Sequence, residues 1–507
     1  MSKTMMNLRL KFGIGSALAI LLTGCMVGPK YHVPPATATA PPASYKESPT
    51  QFQDTDGWKV AQPQDAMLHG KWWEIYNDPE LNALEDRLNI NNQNIKQFFE
   101  NFLEARTLVA QARSQLYPTV GTAPAYSRSA SSANLGSSST ANPGKVSSLG
   151  SLPFDVSWEP DLWGRVRNTI HEEQYNAQLS AADLENEKLT EQASLAEFFF
   201  EIRGQDALQK ILDAAVVADK KALELTRARY ETGIDDRISV AEAESTLESV
   251  QSQAANLGVA RAQFEHAIAV LVGTNPSQFS IPVRPVLTNS PAVPIGMPSA
   301  LLERRPDIAA AERKMAAANA QVGIAYAAFY PSLDLSASGG FKSSTFTHFF
   351  DWPSRFWSIG PTLSETIYDG GLRRAEVNQF VTTYNADVAS YRQTVLTAFQ
   401  QVEDSLASVR ILSQQILKQE QAVKSFEEVL QLETARYETG VDPYLNVVTA
   451  QTTLLSNQQT LANLHVQEMT ASVQLIGALG GGWDRTQLPT PANVSKKLDK
   501  TETAIQK

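Results

Sequence analysis

The sequence predicts a mixed, mainly α-helical fold that is internally duplicated and contains a smaller β part. Three observations lead to this prediction. The hexapeptide Ala-Arg-Tyr-Glu-Thr-Gly occurs twice, at 228–233 and at 435–440. It closes two runs of 68 residues, 165–232 and 372–439, in which Gly204 is the only glycine and no proline occurs. Before each run, apolar and polar residues alternate over short stretches, which is the pattern of β-strands.

The two long runs indicate long helical hairpins. A helix of this length extends about 100 Å at 1.5 Å per residue, far beyond an ordinary globular helix. After Gly233 and Gly440 a second helical run returns, over 234–272 and 441–476. Each hexapeptide is therefore predicted to form the tight turn of a hairpin, with glycine as the C-terminal cap. Identity at equivalent points indicates internal duplication.

The N-terminus has the pattern of a lipoprotein signal peptide. A basic segment precedes the apolar run 12–22, which is too short to span a membrane. The run ends in Leu-Thr-Gly-Cys, similar to the lipobox of bacterial lipoproteins, so we predict lipidation at Cys25. This is the only cysteine of the chain, so no intrachain disulfide can form. An ordinary signal peptide with an incidental cysteine is the alternative. By resemblance to Gram-negative lipoproteins, Met26 at the next position favours delivery to the outer membrane.

The first folded part has its own start signals. Trp72 and Trp73 are expected to pack, and Asp78 followed by Pro79 is typical of a helix start. The features together divide the chain into a signal peptide (1–24), a lipidated Pro-rich linker without a core of its own (25–66), a first structural repeat (67–272), a Pro-rich connector (273–298), a second structural repeat (299–480) and a polar, poorly ordered C-terminal tail (481–507).

Each repeat is predicted to contain two strands between a first helix and the long helix. In the first repeat they cover about 119–128 and 152–159, separated by a serine-rich stretch, 127–151, that we expect to be a solvated loop. In the second repeat they cover 333–342 and 357–364, after a single helical run from 299 to 329. The tip of the second hairpin is aromatic, which indicates either a membrane-interface girdle or local packing: Phe346, Phe349, Phe350 and Trp352.

The four strands predict an oligomer. They pair as two hairpins whose apolar faces no other segment of the chain covers. Four strands are too few to close a membrane barrel, and open strand edges are not tolerated in lipid. We therefore expect transmembrane strands that close between chains, and a trimer supplies twelve. The long helices are too polar for lipid and are expected to project into the periplasm.

The order and spacing of these motifs resemble the TolC/OprM outer-membrane efflux channel family, and most closely its NodT-type lipoprotein branch. The resemblance is carried by the lipobox, 72–79, the two hexapeptide turns, 301–308, 329–333 and 368–371. It implies a homotrimer with a 12-stranded β-barrel and a 12-helix periplasmic α-barrel. It also implies three kinds of partner: a periplasmic adaptor (membrane fusion) protein, an inner-membrane pump of RND type, and the lipid of the Gram-negative outer membrane.

The predicted function is therefore a passive exit duct of a tripartite efflux system. The alternatives are the exit duct of a type I protein or peptide secretion system and a non-channel periplasmic coiled-coil scaffold, which would not need the strands. The six histidines are scattered without ligand spacing, and the sequence has no phosphate loop or nucleophile elbow. We predict no enzymatic activity, no metal and no cofactor. A net charge of −11 argues against nucleic acid as a partner.

The candidate functional site lies at the twin turns, which the family places at the far periplasmic end, where the channel closes and the adaptor docks. Gly233 and Gly440 are the predicted docking tips. The candidate gate comprises the Arg, Tyr and Asp side chains near them: Arg229, Tyr230, Asp235, Asp236, Arg237, Arg436, Tyr437, Asp442 and Tyr444.

Two roles are expected at these turns. Tyr and Arg side chains would pair with Asp and hold the tips shut, while acidic side chains facing the lumen would attract cations. Many relatives carry an acidic residue at the position of Thr449, so the acidic ring is expected at Asp442 and at Asp235 with Asp236. The alternative is that all of these are ordinary capping and solvent-facing residues.

Overall fold

The computed structural model describes residues 26–37, 44–47, 70–130, 132, 146–285, 290–293 and 301–497. Cys25 and the predicted signal peptide lie outside the described residues, so lipidation stays a prediction.

Helices make up most of the described chain and repeat in two sets. The first set comprises α1 (Pro79–Asn91), α2 (Gln93–Ser114), α3 (Arg165–Glu231) and α4 (Arg237–Leu271), and the second α5 (Leu301–Arg304), α6 (Pro306–Ala327), α7 (Leu372–Glu438) and α8 (Tyr444–Ala478). The long helices α3 and α7 have 67 residues each, and the returning helices α4 and α8 have 35 each. The hairpins therefore correspond residue for residue, which confirms the predicted duplication. None of the helices in the described segments is long and apolar enough to cross a membrane.

Capping side chains and prolines set the starts of the shorter helices. Asp78 caps α1 by accepting from the backbone N–H of Glu80, and Pro79 occupies the first helical position, as predicted. Asn92 ends α1, and its side chain caps α2. The single helix predicted over 299–329 is wrong, because the chain breaks before Pro306, which has no N–H and forces the preceding residue out of helical geometry.

The strands form one antiparallel sheet: β1 (Thr119–Thr122), β2 (Ala125–Ala130), β3 (Val146–Trp158), β4 (Ser332–Ser343) and β5 (Arg355–Ser364). β1 and β2 both pair with β3 in a single register, interrupted around Pro124, which cannot donate a ladder hydrogen bond. β4 pairs with β3 on one side and with β5 on the other. The two predicted hairpins are thus joined into a sheet four strands wide. The solvated loop predicted over 127–151 is wrong at both ends, since β2 and β3 extend into it, and residues 131 and 133–145 lie outside the described residues.

One face of this sheet carries an apolar row that crosses β1, β3, β4 and β5. The cross-strand partners Val120, Val156, Ala337 and Ile359 form one row, and side chains of directly paired residues share a face. Ile359 is 76% exposed, and the neighbouring Trp357 is 80% exposed. Within the described part of this chain, therefore, these large apolar side chains are left uncovered.

The predicted linker packs against the body of the protein wherever the structure describes it. Val27 donates its backbone N–H to the Trp163 carbonyl at 3.0 Å. The Tyr31 hydroxyl donates to Glu312 Oε1 at 2.5 Å, and Tyr45 is buried in the main core. The linker lacks a core of its own, but its tyrosines add to the core of the repeats.

The expectation of a poorly ordered C-terminal tail is wrong for residues 481–497. Trp483 is buried against Ala182 and Ala309, and Val494, in the short helix α9 (Pro491–Val494), is buried against Val109. Hydrogen bonds also hold this polar stretch, including one from the Gln178 side chain to the Pro489 carbonyl at 2.8 Å. The polar composition of residues 481–497 does not reveal that this segment packs against the helices.

The main core lies where the two sets of helices meet. Trp72 and Trp73 pack edge to face with ring centroids 5.8 Å apart, as predicted. Nearby, buried Asp206 accepts from the side chains of Arg203 (3.2 Å) and Arg261 (2.7 Å) and from the backbone N–H of Arg284 (2.8 Å). The Pro-rich connector is thereby fixed to α3 and α4, and in its described residues it contains only a short 3₁₀ turn, Pro276–Gln278.

Candidate functional site at the hairpin tips

Both turns close with the same backbone motif. Gly233 and Gly440 adopt φ values of +77° and +74°, which favour glycine. The Gly233 N–H bonds to the Tyr230 carbonyl at 3.0 Å, and the Ile234 N–H bonds to the Arg229 carbonyl at 2.9 Å. The second turn repeats these two bonds at 3.0 and 2.9 Å. This is the Schellman arrangement, so the predicted glycine caps are confirmed.

An ion pair braces each turn at equivalent positions. Arg229 Nε lies 3.0 Å from Asp235 Oδ2 in the first turn. Arg436 Nε lies 2.5 Å from Asp442 Oδ2 in the second. The Arg comes from the last turn of the long helix and the Asp from just beyond the glycine. Each ion pair therefore links the two sides of its turn and stabilises the turn conformation.

A further contact joins the two hairpins to each other. The Tyr437 hydroxyl, from the second hairpin, donates to Asp235 Oδ2 of the first at 2.5 Å. The Arg229 guanidinium stacks over the Tyr437 ring at 4.6 Å and donates to the Glu438 carbonyl at 3.3 Å. We call Arg229, Asp235 and Tyr437 the tip latch. It can hold the hairpins together because each of its three members contacts the other two.

Burial strengthens the tip latch. Tyr437 is only 2% exposed and rests against Tyr444, with ring centroids 5.2 Å apart, and against Leu223 and Val240. Burial raises the pKa of Tyr437, and the hydrogen bond to Asp235 raises it further. The hydroxyl therefore remains a donor throughout the physiological range. Tyr230, the corresponding residue of the first hairpin, is 45% exposed. The two corresponding tyrosines of the duplicated sequence therefore have different environments.

The other predicted gate residues have separate environments. Asp236 caps α4 by accepting from the backbone N–H of Ser239 at 3.0 Å, and this hydrogen bond lowers the pKa of Asp236. Arg237 lies 3.4 Å from Glu244 on the exposed side of α4. Thr449 is exposed and donates its hydroxyl to the Leu445 carbonyl of its own helix.

Sequence reasoning missed two features of the tips. Arg227 on α3 pairs with Glu244 on α4 at 2.7 Å and links the two arms of the first hairpin. Residues at similar distances from the turn face each other in an antiparallel hairpin, and that spacing could have indicated the pair. The second feature is a set of exposed aliphatic side chains at corresponding positions of the two turns: Ile234, Ile238, Val441 and Leu445.

The comparisons with known proteins agree with this architecture. The family model described as "Outer membrane efflux protein" matches residues 84–274 and 297–481. The probable efflux pump outer membrane protein TtgC of Pseudomonas putida is 30% identical over 468 residues, covering 92% of this chain and 94% of the relative. The outer membrane protein OprJ of Pseudomonas aeruginosa is 31% identical over 486 residues, covering 93% and 96%.

Solved structures show the same fold. The outer-membrane channel OprN superposes with a TM-score of 0.81 at 26% identity, over 90% of this chain and all of that one. VceC of Vibrio cholerae gives a TM-score of 0.74 at 28% identity, over 82% of this chain and 99% of that one. These similarities confirm the predicted efflux role and the non-enzymatic class. The chain belongs to the outer membrane efflux protein family.

Proposed function

We propose that this protein is a homotrimeric exit duct that carries substrates across the outer membrane for an inner-membrane pump. The uncovered apolar face of the sheet is the observation that supports this most strongly. A face that carries Trp357 and Ile359 at 80% and 76% exposure is costly in water and stable against hydrocarbon chains. The opposite face carries the paired row Asp155, Ser338 and Ser358, which suits a water-filled lumen.

Closure of the sheet between chains would satisfy its open edges. β1 with β2 forms one edge and β5 the other, so β5 of one chain can pair with β1 and β2 of the next. Three chains then give twelve strands in a closed barrel. β3 has 13 residues and β4 has 12, about 40 Å of extended chain, which crosses a bilayer of about 30 Å when tilted.

Aromatic side chains lie at both ends of the sheet, and such side chains are enriched at the two interfaces between membrane and water. Phe346 and Trp352 are exposed at the distal loop, while Phe349 and Phe350 pack edge to face at 5.1 Å. The loop thus combines local packing with exposed rings. Tyr330 and Tyr368 are exposed at the end that joins the helices. Strands β4 and β5 separate the two sets.

The helices would form the periplasmic duct. Each chain contributes two long and two returning helices, so a trimer has twelve. At 67 residues, α3 and α7 extend about 100 Å from the membrane. At their far ends the tip latch and the Arg436–Asp442 pair would act as the gate. The exposed aliphatic side chains of both turns would dock a periplasmic adaptor, and the pump is proposed to be of RND type.

The lipid anchor is part of this proposal. The described chain starts at Met26, and Val27 is hydrogen-bonded to Trp163, whose indole N–H donates to the Pro331 carbonyl at 2.7 Å, next to the start of β4. A lipid on Cys25 would therefore enter the membrane at the end of the sheet that faces the periplasm. Lipid and barrel would anchor the protein independently.

The test is ion conductance of the purified full-length protein in planar lipid bilayers. The proposal expects discrete channels that open further when the tip contacts are removed in the triple variant Arg229→Ser, Tyr437→Phe, Arg436→Ser. Asp442→Asn should weaken cation preference. A protein that inserts into the bilayer and conducts no ions, even as the triple variant, contradicts the proposal.

A further inference from the structure

A half-open cavity of about 480 Å³ lies between the two hairpins, set back from the tips. Its walls come from α3, α4, α7 and α8 and from Pro285 of the connector, and most of the lining residues are apolar, including Ile211, Val250 and Leu454. Asp219 lines it about 20 Å from the turn, as counted along α3 from Gly233.

The packing of the hairpins explains why space remains there. Towards the membrane, α3 and α8 approach closely at Gly204, where an added Cβ would overlap the side chain of Val466. Towards the tips, Leu223 packs with Tyr444. Between these two contacts α3 carries alanines on the cavity wall, at 207, 214, 215 and 218, which leave the gap unfilled.

Two hydrogen-bond acceptors without described donors line this cavity. Asp219 is 5% exposed, and among the described residues no hydrogen bond or ion pair is found for its carboxylate. Gln451 Oε1, on α8, is buried and has no hydrogen-bond partner in the described structure. A buried acceptor such as Gln451 Oε1 is costly unless a donor satisfies it, and the Asp219 carboxylate beside it is a charged acceptor that lines the cavity.

The carboxylate of Asp219 favours a cation in the cavity. Lys210 also belongs to the lining, but it is exposed to solvent, whereas Asp219 is buried. Burial raises the pKa of Asp219 to about 6, so the carboxylate is mostly ionised at neutral pH. The corresponding position on α7 is Phe426, so the second hairpin has no equivalent carboxylate. Among the described residues, a carboxylate at this position of a hairpin therefore occurs in the first hairpin alone.

We propose that this cavity binds a protonated amine with a compact apolar body, the ammonium group donating to Asp219 and Gln451 and the body contacting the aliphatic walls. An ammonium group supplies several N–H donors and the opposite charge, which a neutral alcohol or a carboxylic acid does not. The cavity volume exceeds that of a small bicyclic or tricyclic amine. A bound ligand would contact both hairpins on the membrane side of the tip latch.

The test is isothermal titration of the full-length protein in detergent with 1-adamantylamine. We expect saturable binding at one site per chain, weakened about tenfold or more by Asp219→Asn, since a hydrogen bond to a charged group contributes about 1.5–3 kcal/mol. Gln451→Leu should weaken binding by a smaller factor. Affinity should fall as the pH falls through 6, because the ligand requires the ionised form of Asp219.

Two controls make the result specific. Asp213→Asn removes a carboxylate from the same helix outside the cavity, where it accepts from Gln209 at 2.9 Å, and should leave binding unchanged. 1-Adamantanol has the same apolar body without the charge and should bind at least tenfold more weakly. Absence of saturable amine binding, equal binding by Asp219→Asn, or equal binding of the alcohol would overturn the proposal. These outcomes concern amine binding alone, and the conductance measurement tests the proposed exit duct separately.

Discussion

Replacing Tyr437 by Phe tests the tip latch with the loss of a single oxygen atom. The ring keeps its contacts with Tyr444 and Leu223, and Asp235 keeps its ion pair with Arg229 at 3.0 Å. What disappears is the 2.5 Å hydrogen bond between the two hairpins. The variant should therefore fold and assemble normally, so that any change in the channel reports on this bond.

The size of the effect follows from the chemistry of the bond. A hydrogen bond to a charged acceptor contributes about 1.5–3 kcal/mol, and the lower value applies because Arg229 still satisfies Asp235. If a trimer opens by releasing three such bonds together, the closed state loses about 4–5 kcal/mol. At about 1.4 kcal/mol per factor of ten, the ratio of open to closed channels rises roughly a thousandfold.

The assay is the open probability of single channels in planar bilayers, recorded for the wild type and for Tyr437→Phe. Tyr230→Phe is the matched control, because Tyr230 occupies the corresponding position in the other hairpin and is 45% exposed. The control should behave like the wild type. Equal open probabilities for all three proteins would refute the role of the tip latch in gating.

Three further predictions concern the sheet, the packing of the helices and the lipid anchor. Ile359→Lys places a charge on the apolar face of the sheet and should cost about 2–4 kcal/mol per chain near the middle of the membrane. It should reduce the amount of protein in outer-membrane fractions, whereas Ser358→Lys on the polar face should not. Gly204→Ala should lower the thermal unfolding midpoint because its Cβ lacks room, while Gly258→Ala, with nothing within 4 Å, should stabilise α4 by about 0.5–1 kcal/mol. Mass spectrometry should find a lipid on the N-terminal Cys25 of the mature protein, and Cys25→Ser should lack it yet still assemble; a mature chain that starts elsewhere would exclude the anchor.

Much of the fold could be predicted from the sequence because its signals are local and repeated. The identical hexapeptides located both turns, and the strand alternation placed β4 and β5 within one or two residues of their observed ends. The pairing of β3 with β4 was not predictable, because it joins segments far apart in the chain. The burial of Trp483 and Val494 was missed for the same reason: a polar stretch is anchored by contacts with distant helices.

The candidate site was predictable as a set of residues and not as a set of contacts. The duplicated Arg, Tyr and Asp positions predicted that the candidate site lies at the two turns. Nothing in two identical hexapeptides distinguishes Tyr437, buried between the hairpins, from Tyr230, which is exposed. That difference comes from how the second hairpin packs against the first. Sequence reasoning did not predict the cavity at Asp219, because four helices and the connector contribute to its walls.

We propose that three chains close their sheets into one barrel. Native mass spectrometry of the purified full-length protein, released from detergent in the gas phase, measures the number of chains. We expect a dominant species with the mass of three chains, and we expect this species to be lost in the variant Ile359→Lys, whose sheet is unsuited to the membrane. A stable monomer with its strands folded would contradict the account, because the edges at β1, β2 and β5 would then need no partner.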